Sequence, residues 1–511
     1  MVSKKYNLGE YFVKVAKKNS EKKAIQFLNN TYINFGDLNK NSNIISNWLK
    51  RKKVKPNDRI CILSNKNQFV FYLIISCLKV GAAYTVLDKD NPDTRNLKII
   101  KNLKPKFIFS CIEYDGQIKK LKKFISLKKL NKILARQNIK FKPANFQNST
   151  LAYNMFTSGS TGVPKGVSIT HKNLFNFINW ARKEYRITKH DIFSNLNGLH
   201  FDNSIFDIFG GLFNGLTIVS VNKEDLFDPR KYFNLTKKFK ITTWFSVPSL
   251  LIYFMNFKAI NQKNFSSYKR VIFGGEAFPK KNLQKLFKFI GKGTEIYNVY
   301  GPTECTCICS SYKVSKFDFK KNEIKKYTPL GKKMIKKFGF YIINDNQKVK
   351  KNQKGELILT GENVGKGYFN NPLETKKKFI QNPFKSKKDI VYKTGDVVYQ
   401  DSKNELIYFV SRLDNQIKYM GHRIELDEIE KAINILKNVK RSLVTFGKKN
   451  NTTEITGWIS SHKNQENKII YQLSKILPNY MIPTKINYIK KIPINNNGKV
   501  DRLKITSNYY D

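Results

Sequence analysis

Cysteine is scarce, with six residues in 511, and their order suggests no disulfide framework for so long a chain. The first residues, Met1-Val2-Ser3-Lys4-Lys5-Tyr6, have no apolar core and do not read as a signal peptide. No apolar run of membrane-spanning length is uninterrupted. The most apolar stretch, Phe69 to Leu87, is broken by Lys79 and by Gly81-Ala82-Ala83, and reads as a core helix running into a strand. Acids are outnumbered, 38 Asp and Glu against 94 Lys and Arg, for a net charge of +56. The excess is mostly Lys spread through every region. No block of Arg with interleaved aromatics stands out, so no nucleic-acid partner is expected. There is no internal repeat and no low-complexity tail. The expectation is a cytoplasmic, monomeric protein without a membrane span.

What is present fits a globular chain of more than one domain: 41% apolar residues, with 38 Phe and 26 Tyr. A helical pattern runs from about Glu10 to Leu49, with one short strand around Ala24 to Phe27. Strand-like Asp58 to Leu63, helical Gln68 to Val80 and strand-like Ala83 to Leu87 then predict a right-handed crossover in a parallel sheet. Further strands are expected near Phe107, Ile192, Leu216, Thr243 and Arg270, with helices between most of them. The fold class is α/β, a large N-terminal region of covered, mostly parallel sheets. After about residue 325 shorter strands predict a β-rich subdomain. From Arg412 strand, helix and strand begin again, enough for a small α+β C-terminal domain.

The densest local signal is Thr157-Ser158-Gly159-Ser160-Thr161-Gly162-Val163-Pro164-Lys165-Gly166, after a buried strand at Leu151 to Phe156 and before a helical run from His171. Small, hydroxyl and glycine residues uncover backbone N–H groups and permit positive φ, which makes a cradle for a polyphosphate. It is not a Walker loop, because Pro164 stands where that pattern differs. The plain alternative is a flexible surface loop. Cys305, Cys307 and Cys309 alternate, as one face of a strand would; small strand residues and a metal site are both open, although no His lies nearby.

Taken in order, eight motifs resemble the adenylate-forming enzymes, specifically the amino-acid adenylation domains of non-ribosomal peptide synthesis and the D-alanine–carrier protein ligases. They are Tyr32 to Leu38, Leu78 to Tyr84, the loop above, Asn298-Val299-Tyr300-Gly301-Pro302-Thr303-Glu304, Tyr392-Lys393-Thr394-Gly395-Asp396, Arg412-Leu413-Asp414-Asn415-Gln416-Ile417-Lys418 with Gly421-His422-Arg423-Ile424-Glu425-Leu426, Leu477 to Pro483, and Asn497-Gly498-Lys499. Ser411 departs from the pattern, which usually has Gly before the Arg. The resemblance implies a core over 1–411, a hinge at 412–416 with Asp414 as the hinge residue, and a mobile C-terminal domain over 417–511.

It also implies the chemistry. A carboxylate attacks the α-phosphate of ATP and pyrophosphate leaves, so catalysis is mainly charge neutralisation and positioning. Thr157, Ser158, Gly159, Ser160, Thr161, Gly162 and Lys165 would hold the β- and γ-phosphates, with Asn298, Gly301 and Arg412 completing the ATP site. Thr303 would reach the α-phosphate, and Glu304 would hold Mg²⁺ through oxygen. Tyr300 offers a ring to adenine, and Asp396 would accept both ribose hydroxyls. Lys499 would bridge substrate carboxylate and α-phosphate. The plain alternatives are a core Tyr300, turn residues at Thr303 and Asp396, a solvated Glu304 and a surface Lys499.

In the same resemblance Asp202 of Leu199-His200-Phe201-Asp202-Asn203-Ser204 would receive a substrate ammonium; its alternative is a helix N-cap. Phe206, Phe245, Ile272, Gly274, Val299 and Cys307 would wall a neutral, small or apolar side-chain pocket, enlarged where Gly274 replaces the Cys that D-alanine ligases tend to carry. Gly421 would line a pantetheine tunnel for a thioester-forming second step. With no Gly-x-Asp-Ser carrier site and no condensation motif in the sequence, the expected partner is a separate acidic carrier protein bearing phosphopantetheine. The alternatives are an acyl- or aryl-acid CoA ligase and a non-catalytic nucleotide- or nucleic-acid-binding protein.

Overall fold

The computed structural model describes residues 6–510 except 137, 160–161, 291–292, 321–326, 333–337, 386–388, 438, 440, 450–451, 461–465 and 494–500. Ser160, Thr161 and Lys499 therefore lie outside the described residues.

Two large sheets build the N-terminal region. Strands Arg59–Ser64 and Ala83–Asp88 pair in parallel, Arg59 opposite Ala83 and Ser64 opposite Asp88. The helix Gln68–Val80 that joins them is capped by Asn67, whose side chain accepts from the Phe69 N–H. It ends at Gly81 with φ +76°, where a Cβ would lie 2.8 Å from the Phe146 ring. The helix is buried from Val70 to Val80, as a core helix should be, and among the described residues no helix is long and apolar enough to cross a membrane. Its one charge, Lys79, is fully buried and donates to Asn39 Oδ1, the Asn39 carbonyl, Ser42 Oγ and Asn43 Oδ1 at 2.7–3.1 Å. Those acceptors are what lets a lysine sit in the core.

The seven-stranded sheet containing this unit also holds Leu151–Thr157, paired antiparallel with Lys165–Thr170. The predicted phosphate loop is thus the turn of a hairpin, and Lys165 opens its second strand. The second sheet has eight strands, its centre formed by Ile192–Asn195, Thr217–Ser220, Thr243–Ser246, Arg270–Gly274 and Glu295–Tyr300, all parallel. The third sheet is antiparallel and contains Phe338–Asn344, Gly355–Gly361, Ile390–Gln400 and Ile407–Arg412. The molecule is α/β with a β-rich region, as the sequence predicts.

The alternating cysteines do not form a strand. Thr303–Cys305 is a single 3₁₀ turn, and Thr306 and Cys307 have φ +60° and +72°, so the chain coils before the strand Ser310–Lys313 begins. All six cysteines are buried free thiols, and among the described residues no cluster of His, Cys, Asp and Glu could hold a metal.

After Arg412 the chain forms the hairpin Gln416–Tyr419 and His422–Glu425. Met420 and Gly421 both have positive φ, +49° and +79°, the pair that a tight two-residue hairpin turn requires. Helix Leu426–Asn434 and strands Arg441–Lys449, Thr452–Ser460 and Lys485–Tyr488 follow. Ile424, Ile429, Ile433, Val444, Ile455 and Ile459 belong to a hydrophobic cluster that, among the described residues, has no member before Ile417.

Candidate functional site

The site lies where the strand ends Thr157 and Tyr300, the helical turn after Asp202, the third sheet and the 416–425 hairpin converge. Of the expected site residues, Thr157, Ser158, Asp202, Tyr300, Gly301, Thr303, Asp396, Arg412 and Gly421 line one cavity. Asn298 and Val299 line an adjoining one together with Tyr300, Asp396 and Arg412.

The hairpin turn from Thr157 to Lys165 is closed by the Gly162 N–H donating to the Gly159 carbonyl at 2.8 Å. Gly159 has no room for a side chain, because a Cβ would collide with the Val163 carbonyl oxygen, and Gly162 sits at φ +80°. The Gly159 N–H donates to Glu428 Oε2 at 3.1 Å, and Ser158 Oγ donates to the Arg423 carbonyl at 2.7 Å. An anion therefore occupies a loop amide, supplied by the chain itself. Lys165 is nearly buried and pairs with Glu374 at 3.0 Å, beside the Tyr368 ring.

Glu304 is fully buried, so the solvated-charge alternative does not hold. Tyr368 Oη donates to its Oε1 at 2.6 Å, and Arg423 Nη1 donates to Oε1 and Oε2 at 2.9 and 2.8 Å. Burial alone would raise this carboxyl; Arg423 and the Tyr368 hydroxyl outweigh it and hold it down at about 2. Just before it, a side chain on Gly301 would collide with the Cys307 carbonyl, which fixes the bend that carries Thr303 into the cavity.

Asp396 and Arg412 are opposite residues on adjacent strands. Arg412 Nη1 donates to Asp396 Oδ1 at 2.6 Å, while Tyr300 Oη donates to Asp396 Oδ2 at 2.6 Å. Asp396 is therefore a fixed acceptor in the cavity wall rather than a turn residue, and Tyr300 presents its ring there. The other edge of the Arg412 guanidinium is bound by Asp414, Nε to Oδ1 at 2.8 Å and Nη2 to Oδ2 at 2.7 Å. Asp414 thus has a specific partner at the junction, beyond solubilising a boundary.

Asp202 stands at the N-cap position of the turn Asn203–Ile205, yet its side chain caps nothing. Its carboxyl is hydrogen-bonded by Thr303, and burial pushes it above the ordinary range against that bond. It forms no ion pair among the described residues, although the nearby Arg423 and Lys418 act to lower it.

The expected pocket walls behave differently. Phe206, Phe245, Ile272, Val299 and Cys307 are buried in one core cluster, and the Phe206 and Phe245 rings pack edge to face at 5.2 Å. Except for Val299, they line neither cavity. Gly274 does not enlarge a pocket: a Cβ there would lie 2.5 Å from the Val299 carbonyl oxygen and 2.6 Å from its Cγ2, so Val299 fills the space.

Gly421 borders the cavity at the hairpin tip, where its N–H donates to Glu276 Oε2 at 3.0 Å. Its neighbours Met420 and His422 line a third cavity, which shares His200, Phe201 and Tyr480 with the first. Arg95, Lys418, Arg423, Glu428 and Tyr368 also build the site and were given no role from sequence. Lys418 and Arg423 lie inside quoted motifs; Arg95 and Tyr368 carry no local signal.

Glu304 fits a magnesium ion of the kind expected. It is a buried carboxylate already holding a cation, and Mg²⁺ commonly takes one or two carboxylates with substrate phosphates completing its shell.

Residues 12–369 match the AMP-binding enzyme family. The chain is 31% identical over 463 residues to the D-alanine–D-alanyl carrier protein ligase of Lactococcus lactis, covering 87% of this chain and 88% of that protein. It is 30% identical over 502 residues to surfactin synthase subunit 2 of Bacillus subtilis, where the match covers 96% of this chain but spans only 14% of the synthase. In fold it is similar to an artificially fused adenylation and carrier di-domain from Klebsiella oxytoca, with TM-score 0.84 at 18% identity over 95% of this chain and 94% of that one. It is also similar to o-succinylbenzoate CoA synthetase of Bacillus subtilis, with TM-score 0.86 at 19% identity over 98% of both. With the match covering most of its length, the chain belongs to the AMP-binding enzyme family.

Proposed function

We propose that this protein activates an amino acid with ATP as aminoacyl-AMP and transfers the aminoacyl group to the phosphopantetheine thiol of a separate carrier protein. The observation that carries the amino-acid reading is Asp202. It is a carboxylate in the cavity wall that does not cap its helix and, among the described residues, forms no ion pair, Arg423 and Lys418 acting on it only from a distance, so an ammonium group on the substrate would supply a direct partner. The match along nearly all of a D-alanine–D-alanyl carrier protein ligase supports the carrier.

In the first step the substrate carboxylate oxygen attacks the α-phosphorus, the bond to the β-phosphate breaks, and pyrophosphate leaves. Ser158, the Gly159 N–H and Lys165 would hold the departing phosphates, Thr303 would contact the phosphate that stays, and Lys499 would neutralise the charge gathered there. Asp396, oriented by Arg412 and Tyr300, would accept from the ribose hydroxyls, with adenine against Tyr300. Mg²⁺ at Glu304 would supply neutralisation of the phosphate oxygens. In the second step the thiol sulfur attacks the carbonyl carbon, AMP leaves, and the thiol proton is lost. The 416–425 hairpin at the site, with Gly421 at its tip, supports this arrangement as the one for the second step, reached by rotation of the 417–511 unit about Asp414.

The o-succinylbenzoate CoA synthetase likeness keeps an acyl- or aryl-acid CoA ligase as the second reading. ATP–pyrophosphate exchange across D- and L-amino acids separates them. Exchange driven by one or a few amino acids supports the proposal; exchange driven only by fatty or aromatic acids overturns it.

A further inference from the structure

The proposed second step releases a thiol proton beside a cavity whose two wall carboxylates are already engaged. Asp396 is held by Arg412 and Tyr300, and Asp202 accepts from Thr303. The other charged side chains of that wall, Arg95, Arg412, Lys418 and Arg423, are cations. Next to it lies the third cavity, of about 560 Å³, which reaches the exposed Met420 and so opens to the surface. Among the described residues, only His200, Phe201 and Tyr480 border both. An arm entering through the outer cavity would pass these three side chains before it met the reacting carbonyl.

Phe201 has no basic atom. Burial raises the Tyr480 phenol, so it keeps its proton near neutrality. His422 is stacked on the Tyr480 ring at 3.5 Å, borders only the outer cavity, and is held down to about 3 by burial. His200 differs from all three. Its Nε2 faces Asp88 Oδ2 at 3.5 Å, long for a hydrogen bond but close enough to favour an imidazolium. Asp88 ends a strand paired in the parallel sheet, which fixes its place. Gly198 makes room for the ring, since a Cβ there would lie 2.8 Å from His200 Cε1. Asp88 and Asp90 favour the charged imidazole, burial, Lys66 and Lys223 oppose it, and the neutral His422 and Tyr480 border the same space. The balance leaves it below its ordinary 6.5, neutral and able to accept a proton near pH 7.

We infer that His200 is the catalytic base of the thiol step, with Asp88 as its positioning residue, and that it takes the proton of a thiol arriving through the outer cavity. The S–H bond breaks as its proton passes to the ring nitrogen turned from Asp88. The sulfur electron pair forms the S–C bond, the bond from the carbonyl carbon to the phosphate oxygen breaks, and AMP leaves with those electrons. The imidazolium then gives its proton to water. This rests on the proposed thiol step, not on which acid is activated.

The test is single-turnover transfer from adenylate formed on the full chain with whichever acid supports exchange. Pantetheine and the more acidic trifluoroethanethiol are the acceptors. Each rate is divided by that of hydroxylamine trapping in the same sample, which requires no thiol proton to be removed. Native transfer to pantetheine should rise with pH below 6.5 and stay flat from there to pH 8. His200→Gln should slow it about ten- to a hundredfold at pH 7, where an ordinary thiol is at most a few per cent thiolate. That defect should shrink with trifluoroethanethiol, and again as pH rises toward 9, because solution then supplies the thiolate. Asp88→Asn should move the native rise to lower pH and lower its plateau. A His200→Gln ratio equal to the native one at pH 7, or a defect equal for both thiols, overturns the inference. Should the variant fail to fold, native transfer climbing about tenfold per pH unit from 6.5 to 8 overturns it equally, since solution thiolate would then be reacting alone. A native protein that forms the hydroxamate but loads neither thiol defeats the proposed second step, and the role of His200 with it.

Discussion

Arg412 is shared between two aspartates of different expected purpose, Asp396 in the cavity wall and Asp414 at the junction, with Nη1 on the first at 2.6 Å and Nε and Nη2 on the second. The proposed nucleotide site and the proposed hinge are therefore joined through one guanidinium. Removing it leaves the buried Asp396 with Tyr300 as its remaining side-chain hydrogen-bond partner among the described residues. Arg412→Ala should cost about 3 kcal/mol of stability and raise KM for ATP more than it lowers kcat. Urea unfolding beside steady-state kinetics tests this; a loss under about 1 kcal/mol would mean that solvent already screens the pair.

Asp202→Asn keeps shape and removes charge. If the carboxylate meets a substrate ammonium, kcat/KM for the amino acid should fall roughly a hundredfold, about 3 kcal/mol, while KM for ATP stays within about twofold. Amino-acid-stimulated exchange is the measurement, and full stimulation in the variant would remove Asp202 from the role.

Gly421→Val probes the hairpin tip. Any side chain there carries the strain of φ +79° and meets Val247 Cγ1 at 2.7 Å. The docked pose should lose about 1–3 kcal/mol, so transfer to a thiol should slow roughly ten- to hundredfold with adenylation little changed. Equal loss in both half-reactions would contradict the separation of the two poses.

Stability should fall on mild acidification. His171 is fully buried, and burial pulls its imidazole from 6.5 down to about 3; its Nδ1 accepts from the Leu8 N–H while Nε2 has no partner among the described residues. The folded state thus binds fewer protons than the unfolded one between those values. Its contribution is complete above about 6.5 and is lost as pH falls toward 3, at up to about 1.4 kcal/mol per pH unit. His422, also lowered to about 3 by burial, acts in the same direction. Chemical unfolding at pH 7, 6 and 5 checks the slope, which should flatten in His171→Phe. Glu304 adds its loss lower, below about 4.5 and down toward 2.

The sequence was most readable where a local period or a glycine fixed the backbone. The helix Gln68–Val80 and the strands around it stand where the apolar pattern and Gly81 put them. Asp396, Tyr300 and Thr303 were legible as members of ordered motifs, and they meet in one cavity. What was illegible depended on distant partners. Arg423 sits in a quoted motif, but its meaning comes from Glu304, 119 residues away. The cysteine alternation suggested a strand because spacing says nothing of the positive φ at Thr306 and Cys307. Gly274 suggests space because the absence of one side chain does not reveal that Val299 occupies it.

Among the described residues, the hydrophobic cluster around Ile424, Ile429 and Val444 draws none from before Ile417. The C-terminal unit is therefore expected to denature without opening the interior of the larger one, and the contacts joining it to the cavity include the Arg423–Glu304 and Arg95–Glu428 ion pairs and the Gly421–Glu276 hydrogen bond. Heating should accordingly produce more than one cooperative transition, and amide exchange should show two tiers of protection divided near the junction. A unit that melted independently in this way could also turn as a whole without melting, because none of its internal packing would have to change when its attachments are exchanged.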